Sequence, residues 1–469
     1  MANRRRDLKQ SKMKTADNSY EKAGGKISRR EFLGTTAVAG AGLLLGGCSA
    51  ESQKTEVAPP KFSGKKLNVA LFGCGAQGQV LLESLTVIES IQLVAIVDIW
   101  DYNRKMIVRR LKSIDQPVKD YPDQEELLAN EKNLDAVIVA TPDFWHAPIT
   151  NACLKAGLHV YCEKMMSNTI EGARSMVKTM QETGKLLQIG HQRRSNPRYI
   201  FALNKLIHDA QICGKLTSAQ AEWNRPVTAD MGFPKHSEMS SETLAKYGYK
   251  DMHQFRNWRW FKALGGSPLA DLGAHQIDIF NWFLGGLPSS VVASGGVDYY
   301  KNHEWFDNAM VIYEYPRADG STLRAFYQVQ TTSSSDDGYF EKFKGDEGSV
   351  KMSENPSFCA LKQEDRSIKD WDELAAKNYI RRVDVPPPSE DEKIDPREEI
   401  PMFKYSIPVQ FAKKMHQPHL ENFFDAIRGT AKLNCPGDVA FASEYVIHKA
   451  VEAVETGKRI VITKEETEA

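Results

Sequence analysis

The sequence predicts an α/β fold, in which a doubly wound parallel sheet is followed by an α+β domain with an open, mostly antiparallel sheet. Two observations predict this order. Strand-like and helix-like segments alternate between residues 67 and 190, which is typical of parallel sheets built from βα units. After residue 190 the strand-like runs follow one another with few helices between them, which is typical of an antiparallel sheet with one free face.

The first 48 residues have the pattern of an export signal. A basic lead reaches Arg29-Arg30, which Glu-Phe-Leu follows, and residues 34–45 are mildly apolar and rich in glycine. A cationic segment, a short apolar segment and a zone of small residues define a secretory signal, and the paired arginines resemble a twin-arginine signal. The segment ends in Leu-Gly-Gly-Cys48, which resembles a lipobox in which Cys48 is acylated.

This pattern predicts where the protein acts. We expect residues 1–48 to be a signal that the twin-arginine export machinery binds, and residues 49–63 to be a flexible linker. The protein is then expected to be exported to the periplasm. If Cys48 carries a lipid, the protein is also anchored to a membrane as a lipoprotein.

The composition describes a globular protein without a dominant charge. The chain has 469 residues, 41% of them hydrophobic, and equal numbers of Lys plus Arg and of Asp plus Glu, 61 each. The length after the signal favours two domains, and the balanced charge indicates no nucleic-acid partner. The six cysteines besides Cys48 show neither C-x-x-C nor metal-site spacing, so we expect reduced, mostly buried thiols and no metal.

Residues 67–98 read as a strand, a glycine-rich turn, a helix and a second strand that ends on Asp98. Gly73 permits the turn, Gly75 lets the backbone approach a pyrophosphate, and Gly78 lets the helix pack against the sheet. Asp98 can accept a hydrogen bond from a ribose 2′-hydroxyl but would repel a 2′-phosphate. The segment therefore predicts a Rossmann domain that binds NAD rather than NADP. Its predicted cofactor-binding residues are Gly73, Gly75, Ala76, Gln77, Gly78 and Asp98.

Three further strands complete the predicted first domain, residues 64–190. They are predicted at residues 134–140, 157–162 and 185–190, and they are largely apolar, as parallel strands buried on both faces should be. The first is followed by Thr141-Pro142 and the second by Glu163-Lys164. Since ligands of such sheets bind at the carboxyl ends of the strands, these residues are expected to lie beside Asp98.

Residues 191–418 are predicted to form a second domain for substrate binding and oligomerisation. Its strand-like runs are residues 218–223, 289–299, 310–315, 322–331 and 348–352. A helix is predicted around residues 268–284, and the charged, proline-rich residues 363–405 are expected to be a surface excursion. Residues 419–469, with helices and a short strand, are expected to pack back across the first domain.

The sharpest chemical signal in the second domain is the pair Asp271 and His275. Pro268 suits the first turn of a helix, so these two residues, four apart, are expected to share a helix face. A carboxylate beside an imidazole can hold a catalytic base in one tautomer. The same spacing also occurs as an ordinary hydrogen bond on a helix surface, so the pair by itself leaves both interpretations open.

Taken in order, the motifs resemble the Gfo/Idh/MocA family of NAD(P)-dependent oxidoreductases, which includes inositol and sugar dehydrogenases. The motifs are the glycine turn, Asp98, Thr141-Pro142 with His146, Glu163-Lys164, Gln192-Arg193-Arg194, and Asp271 with His275. The resemblance implies a Rossmann domain followed by an α/β domain whose open sheet often mediates dimers or tetramers. A homo-oligomer is therefore expected.

The resemblance also implies roles for individual residues. Lys164, Asp271 and His275 would be catalytic, and either the histidine or the lysine would take the proton of the substrate hydroxyl. Thr141, Pro142, His146, Glu163 and Lys164 would contact the cofactor, with Glu163 at the nicotinamide ribose and Pro142 in the nicotinamide pocket. Met165-Met166 follows Lys164 where the family usually has proline, which leaves open the backbone turn that presents Lys164.

The chemistry of alcohol oxidation agrees with these roles. It requires a base for the hydroxyl proton, a group that stabilises the oxyanion, and a cofactor at hydride distance. His275 with Asp271 could supply the base and Lys164 the oxyanion clamp. The predicted substrate-binding residues are Arg193, Arg194, Trp258 and Trp260, which could bind a sugar or polyol through hydrogen bonds and ring faces. Ordinary packing and salt bridges are the alternative for these four.

Export shapes the expected function, because free NAD is not expected outside the cytoplasm. A protein exported in its folded state can carry tightly bound NAD with it. We expect an oxidoreductase that acts on a secondary hydroxyl of a sugar, polyol or glycoside. The alternative is an NAD-dependent glycoside hydrolase that works by transient oxidation and elimination. A third interpretation, a glycan-binding protein with structural NAD, fits the presence of Lys164, Asp271 and His275 less well.

Overall fold

The computed structural model describes residues 62–334, 338–364, 367–383 and 404–469, and two sheets organise them. The predicted signal, with Arg29, Arg30 and Cys48, and most of the predicted linker lie outside the described residues.

The first sheet has six parallel strands in the order β3-β2-β1-β4-β5-β6. The strands are β1 (Leu67–Phe72), β2 (Ile91–Val97), β3 (Lys119–Tyr121), β4 (Ala136–Val139), β5 (His159–Cys162) and β6 (Leu187–Ile189). The helices between them are α1 (Ala76–Leu85), α2 (Asp101–Lys112), α3 (Gln124–Asn130), α4 (Asp143–Lys155) and α5 (Ile170–Thr183). Because β1 and β4 are neighbours, the chain winds away from them in both directions and leaves a crevice at their carboxyl ends.

Local sequence explains where these helices begin and end. Asp123 caps α3 by accepting a hydrogen bond from the Glu126 N–H, and Thr169 caps α5 by accepting one from the Gly172 N–H. Helix α5 ends at Gly184, whose positive φ of 64° reverses the chain before β6. The predicted doubly wound α/β domain is confirmed.

The second sheet has ten strands in the order β14-β15-β13-β12-β11-β7-β10-β9-β8-β16. They are β7 (Leu216–Asn224), β8 (Ser290–Gly296), β9 (Asn308–Pro316), β10 (Thr322–Gln330), β11 (Tyr339–Gly345), β12 (Gly348–Met352), β13 (Ala360–Gln363), β14 (Arg381–Arg382), β15 (Lys404–Ser406) and β16 (Ile460–Val461). The central pair β7 and β10 is parallel, while the other pairs within the described residues are antiparallel. The predicted, mostly antiparallel second sheet is therefore confirmed.

Helices cover one face of this sheet. The α-helices after β6 are α6 (Pro197–Phe201), α7 (Ser241–Lys246), α8 (Met252–Arg256), α9 (Ala274–Phe283), α10 (Trp371–Ala376), α11 (Gln417–Ile427) and α12 (Gly437–Thr456). Two π-helical stretches, Ala202–Asp209 and Leu269–Gly273, continue α6 and precede α9. Phe280 and Phe283 of α9 pack on Phe343 of β11. Met310 and Ile312 of β9 are exposed, so the opposite face is open along this strand.

Several parts of the chain depart from the sequence expectation. No strand is predicted at β3, β11, β13, β14 or β15. Trp371, inside the predicted surface excursion 363–405, is buried and packs on the Tyr405 ring with centroids 5.0 Å apart, so that expectation is wrong there. Helix α11 packs on the first domain through Leu420, Phe423 and Phe424, whereas β16 pairs with β8 at the edge of the second sheet.

The cysteines in the described residues are free thiols. Five of the six are buried, and Cys359 is partly exposed. Among the described helices, none is both long enough and apolar enough to cross a membrane.

Candidate active site

One cavity of about 1170 Å³ lies at the carboxyl ends of the first-sheet strands and extends to the second sheet. The predicted site residues that line it are Gly73, Gly75, Ala76, Gln77, Asp98, Thr141, Pro142, His146, Glu163, Lys164, Trp258, Trp260, Asp271 and His275. Gly78, Arg193 and Arg194 do not line it. The fold thus brings most of two distant sets of predicted residues into one space.

The glycine turn after β1 has no room for a side chain at Gly73 or Gly78, whereas Gly75 faces open space. Gly73 has a φ of +86°, and a Cβ there would lie 2.4 Å from the Ala140 carbonyl oxygen. A Cβ on Gly78 would lie 1.8 Å from the Gly73 carbonyl oxygen, which explains the close packing of α1 on the turn. A Cβ on Gly75 would meet no protein atom within 4 Å. That open side, beside the α1 N-terminus, fits a pyrophosphate.

Asp98 lies just after β2 in the cavity wall, and its carboxylate is oriented by the backbone. It accepts hydrogen bonds from the N–H groups of Cys74 and Trp100, both at 2.8 Å, and from the Asn103 amide at 3.1 Å. Burial raises the pKa of Asp98, and these hydrogen bonds oppose the rise. A carboxylate has about four acceptor sites, so one remains for a ribose hydroxyl.

His146 fixes the turn that presents Lys164. It is buried at the start of α4, with Nδ1 2.6 Å from the Met165 carbonyl oxygen and Nε2 2.7 Å from the Thr141 carbonyl oxygen. The histidine therefore bridges the ends of β4 and β5. The peptide bond between Lys164 and Met165 is cis. Glu163 is also buried and accepts a hydrogen bond from the Tyr161 hydroxyl at 3.2 Å.

Lys164 meets Asp271 at the junction of the two domains. The Lys164 Nζ donates to the Asp271 carbonyl oxygen at 2.5 Å and lies 3.7 Å from the Asp271 carboxylate. Arg259 donates to the same carboxylate at 3.1 Å. Burial raises the pKa of Asp271, but the charges of Arg259, Lys164 and Arg225 outweigh it and hold that pKa well below its usual range. Asp271 is therefore an anion held among cations.

His275 lies in the same cavity without the partner that the sequence suggested. Among the described residues its Nδ1 has no hydrogen-bond partner, and the Asp271 carboxylate bonds Arg259 and Lys164 instead. The predicted Asp271–His275 hydrogen bond is thus wrong. The physical reason is the π-helical stretch Leu269–Gly273, which changes the angle between residues four apart relative to an α-helix.

Burial and nearby cations also set the protonation of this histidine. Burial, and then the charges of Lys164 and Arg193, hold the pKa of His275 well below its usual range. The imidazole is therefore neutral near neutral pH. A neutral imidazole has one nitrogen that can accept a proton, and the ring lines the cavity although its Nδ1 is buried.

The two predicted substrate arginines have structural partners instead. Arg193 is 1% exposed and forms ion pairs with Glu341 and Glu354. Arg194 donates two hydrogen bonds to Asp278, at 2.7 and 2.8 Å, in a bidentate pair. Because a buried guanidinium must be paired, these arginines are committed to the core, and their prediction as substrate contacts is corrected.

Other residues, not predicted as site residues, form the wall of the cavity beyond Lys164. They are Gln192, Trp223, Arg225, Arg259, Tyr339 and Glu354. The Trp223 and Tyr339 rings stack with centroids 4.4 Å apart, and the Arg259 guanidinium lies 4.3 Å from the Trp258 ring centre. The sequence signal for Trp223 is its place at the end of a predicted strand. Tyr339 and Glu354 have no comparable signal in the sequence. Tyr339 begins β11 and Glu354 follows β12, and only the order of the strands in the second sheet brings them to the cavity.

A segment of the second domain, residues 225–264, crosses the first-domain side of the cavity, and we call it the strap. The Trp100 Nε1 donates to the Ser237 carbonyl oxygen at 2.5 Å, and the Arg256 guanidinium lies 5.2 Å from the Trp100 ring. The Tyr247 hydroxyl donates to the Asp123 carboxylate at 2.9 Å. The strap therefore packs on Trp100, which follows Asp98 by two residues.

Two histidines near the C-terminus occupy different environments. His416 lines the cavity, with its Nε2 3.2 Å from the Gln77 amide. His419 is buried and bonds Ser195 and the Ile189 carbonyl oxygen. Within the described parts of the chain no group of three or more His, Cys, Asp or Glu residues could hold a metal ion.

Comparison with family models matches both domains. Residues 67–191 match the model of the Gfo/Idh/MocA oxidoreductase family, NAD-binding Rossmann fold. Residues 242–462 match the model of the C-terminal alpha/beta domain of the same family.

Individual relatives agree with this match but are only partly covered. The chain is 32% identical over 171 residues to the inositol 2-dehydrogenase of Klebsiella pneumoniae, which is 35% of this chain and 49% of that protein. It is 29% identical over 164 residues to a glycosyl hydrolase family 109 protein of Stenotrophomonas maltophilia, 34% of each chain. The matched segments span 34% to 54% of the length of the first curated relatives.

A solved structure shows the same fold. The WlbA dehydrogenase from Bordetella pertussis, solved in complex with NADH and UDP-GlcNAcA, superposes with a TM-score of 0.59 at 16% identity. The superposition covers 85% of this chain and 99% of the other.

Proposed function

The chain belongs to the Gfo/Idh/MocA oxidoreductase family, and on that premise we propose that it oxidises a secondary hydroxyl of a sugar, polyol or glycoside with NAD bound in the cavity. One observation carries the proposal. The glycine turn and Asp98 share a cavity with Lys164, Asp271 and His275, so a cofactor surface and a set of proton-handling groups lie together. An inositol dehydrogenase among the relatives supports a polyol or sugar substrate.

The residues of the first domain fit NAD as the cofactor. The open side of Gly75 accommodates a pyrophosphate at the N-terminus of α1, and the Asp98 carboxylate suits a free ribose 2′-hydroxyl. When bound, NAD supplies the acceptor for the hydride of the alcohol carbon. Pro142 and Glu163 line the cavity where the nicotinamide end would lie.

His275 is the residue that we assign as the base. Its ring is neutral and lines the cavity, so the ring nitrogen other than the buried Nδ1 can take the hydroxyl proton. Lys164 is assigned as the oxyanion clamp, because its ammonium lies in the cavity and is oriented by Asp271. Asp271 is a positioning residue for Lys164 and Arg259.

We propose further that NAD is tightly bound. The strap contacts Trp100, which follows Asp98 by two residues, and Asp123, so release of a cofactor whose ribose binds Asp98 would require these contacts to open. Retained NAD also suits a protein exported to the periplasm by the twin-arginine machinery, as proposed from Arg29-Arg30, with Cys48 as the lipid site. An oligomer is proposed from the open face of the second sheet.

A second candidate function is NAD-dependent glycoside hydrolysis. The similarity to a glycosyl hydrolase family 109 protein favours it. The same base could then remove a proton made acidic by transient oxidation, and elimination of the aglycone would follow. Addition of water and reduction of the ketone by the hydride taken earlier would complete the hydrolysis, so this route would consume no net cofactor.

The decisive experiment follows the cofactor in the purified full-length protein. We expect nicotinamide nucleotide to be released on denaturation, and reduced nicotinamide to accumulate when sugars or polyols are added to the native protein. Aryl glycosides that release phenol without accumulation of reduced cofactor would instead establish the hydrolase. Protein that neither contains nor binds NAD would contradict both candidates.

The strap is tested by Trp100→Ala. Removal of the indole deletes the contacts to Ser237 and Arg256, so NAD should dissociate about tenfold faster, while Phe62→Ala, on the far side of the first domain, should leave the rate unchanged. An unchanged rate in Trp100→Ala would show that the strap does not retain the cofactor.

A further inference from the structure

The substrate end of the cavity contains the three cations Lys164, Arg225 and Arg259. Lys164 and Arg259 contact the Asp271 carboxylate, and the buried Asp143 carboxylate also acts on both of them. The Glu354 carboxylate in this part of the wall is held by Arg193 at 3.1 Å and Gln192 at 3.0 Å. Among the described residues, Arg225 is therefore the cation of the three without a carboxylate partner.

Arg225 differs from the other two cations in its surroundings. Among the described residues its guanidinium makes no hydrogen bond or ion pair, and its side chain is exposed to the cavity. The other arginines discussed at the site each have a carboxylate or carbonyl partner. The guanidinium of Arg225 lies 5.2 Å from the Trp223 ring centre.

The backbone holds Arg225 in place. Its N–H donates to the Gln330 carbonyl oxygen at 2.8 Å, and its carbonyl oxygen accepts from the Ser333 N–H at 3.0 Å. Arg225 follows β7, a central strand of the second sheet. The Arg225 backbone is thus fixed at the end of β7, beside the stacked rings of Trp223 and Tyr339.

The distance from the reacting groups suits a single sugar residue. The Trp223 ring lies 5.9 Å from the His275 ring, and the Arg225 guanidinium lies 5.2 Å from the same indole. A sugar packed on Trp223 can therefore present one hydroxyl to His275 and another substituent to Arg225. Aromatic faces suit the C–H faces of a sugar ring, and an arginine fork suits a carboxylate or phosphate.

We propose that the substrate is an anionic sugar, whose carboxylate or phosphate binds Arg225 while its ring packs on Trp223. This inference rests on the proposed oxidoreductase function and specifies its substrate class. Arg225 is then a specificity-determining residue, and Arg259 remains the partner of Asp271. The favoured substrates carry the negative charge within one sugar residue of the hydroxyl that reacts.

The test compares matched sugars on the full-length protein with its bound NAD. The pairs are glucose against glucuronate, galactose against galacturonate, and glucose against glucose 6-phosphate, so that neutral, carboxylate and phosphate sugars are separated. Cofactor reduction gives turnover, and titration calorimetry gives binding independently of turnover. We expect at least one acidic sugar to be preferred over its neutral partner, with binding that weakens as salt rises.

Arg225→Gln is the diagnostic variant. Loss of a charged, bidentate contact should raise KM for the acidic sugar about 10- to 100-fold while changing KM for its neutral partner less than about twofold. Arg225→Lys should recover only part of the preference, because a lysine lacks the planar fork. Arg324→Gln is the matched control, since Arg324 is exposed on the second sheet, pairs with Glu314 and does not line the cavity.

The outcomes separate this inference from the proposed function. If neutral sugars reduce the cofactor as well as acidic ones and Arg225→Gln changes neither, the anionic-substrate proposal fails and the oxidoreductase stands. If no sugar reduces the cofactor, the proposed oxidoreductase function fails. Calorimetry then tests separately whether the cavity binds an anionic sugar. Binding of glucuronate, galacturonate or glucose 6-phosphate that is lost in Arg225→Gln would support it, and binding of none of them would overturn it.

Discussion

The cofactor half and the substrate half of the cavity are built in different ways. The cofactor half comes largely from one stretch of chain, from the glycine turn at Gly73 to Lys164, in which each residue follows a strand of the same sheet. The substrate half collects Trp223, Arg259 and Glu354 from widely separated segments. The difference teaches that short-range geometry can be read from a motif, whereas the partner of a charge depends on which distant segments pack around it.

The arginines show this contrast most directly. Arg193 and Arg194 belong to a motif of the family resemblance, yet both are buried in ion pairs and neither lines the cavity. Arg225 lines the cavity, although no motif in the sequence indicated it. In the glycine turn, by contrast, the clearances at Gly73 and Gly78 agree with the roles that their spacing indicates.

The largest expected effect lies where the two halves meet. Lys164→Met removes the ammonium while keeping much of the side-chain volume, so kcat should fall about 1000-fold, or roughly 4 kcal/mol of transition-state stabilisation. Bound NAD should remain. Steady-state kinetics and cofactor content measure both quantities, and Lys178→Met, on the exposed side of α5, is the control. Undiminished kcat in Lys164→Met would remove Lys164 from the site.

The next effect tests whether the misassigned arginines are structural. Asp278→Asn leaves Arg194 buried without its bidentate partner, so the free energy of unfolding should fall by about 3 kcal/mol at neutral pH. Burial raises the pKa of Asp278, but Arg194 and His191 outweigh it and lower that pKa to about 2. The stabilisation is therefore present above the unfolded pKa of about 4 and is lost as pH falls through the folded pKa.

Urea unfolding across pH measures this difference. The wild-type protein should lose stability in acid more steeply than Asp278→Asn, because the variant has no carboxylate to protonate at that position. Asp209→Asn, which disrupts an exposed pair with Lys205, should change stability little. Equal acid sensitivity in the wild type and Asp278→Asn would show that the pair does not stabilise the fold.

A third prediction separates two glycines of the cofactor half. Gly78→Ala places a Cβ 1.8 Å from the Gly73 carbonyl oxygen, and it should destabilise the protein by about 2 kcal/mol. Gly75→Ala meets no protein atom within 4 Å, so the stability of the NAD-free protein should be unchanged while NAD content falls. Thermal unfolding and cofactor content distinguish the two. Equal loss of stability in both variants would contradict the roles assigned to the turn.

The smallest expected effect concerns the pH dependence of activity. Because burial holds the pKa of His275 well below its usual range, a decrease from pH 7.5 to about 6 should change kcat/KM less than about twofold. A pH–rate profile measures this. A decline that begins above pH 7.5 and shifts in Lys164→Arg would instead identify Lys164 as the base.

Much of the fold follows from sequence pattern, and the exceptions have physical causes. The predicted strands at 218–223, 310–315 and 348–352 lie within β7, β9 and β12. Strand β11 was missed because Glu341, an inward-facing charge buried against Arg193, interrupts its apolar pattern. Trp371 was placed in a surface excursion because charge and proline surround it in sequence, yet its indole is buried against the Tyr405 ring.

The sequence by itself determined the domain order, the glycine turn, the acid after β2 and the side chains that we propose as reactive. These features depend on backbone periodicity and on interactions within about thirty residues, which a single chain displays directly. Only the tertiary structure decided that Asp271 pairs with Lys164 and Arg259, that His275 lacks that partner, and that Arg225 faces the cavity. Charges act through space, so their partners are fixed only when distant strands and helices have packed together.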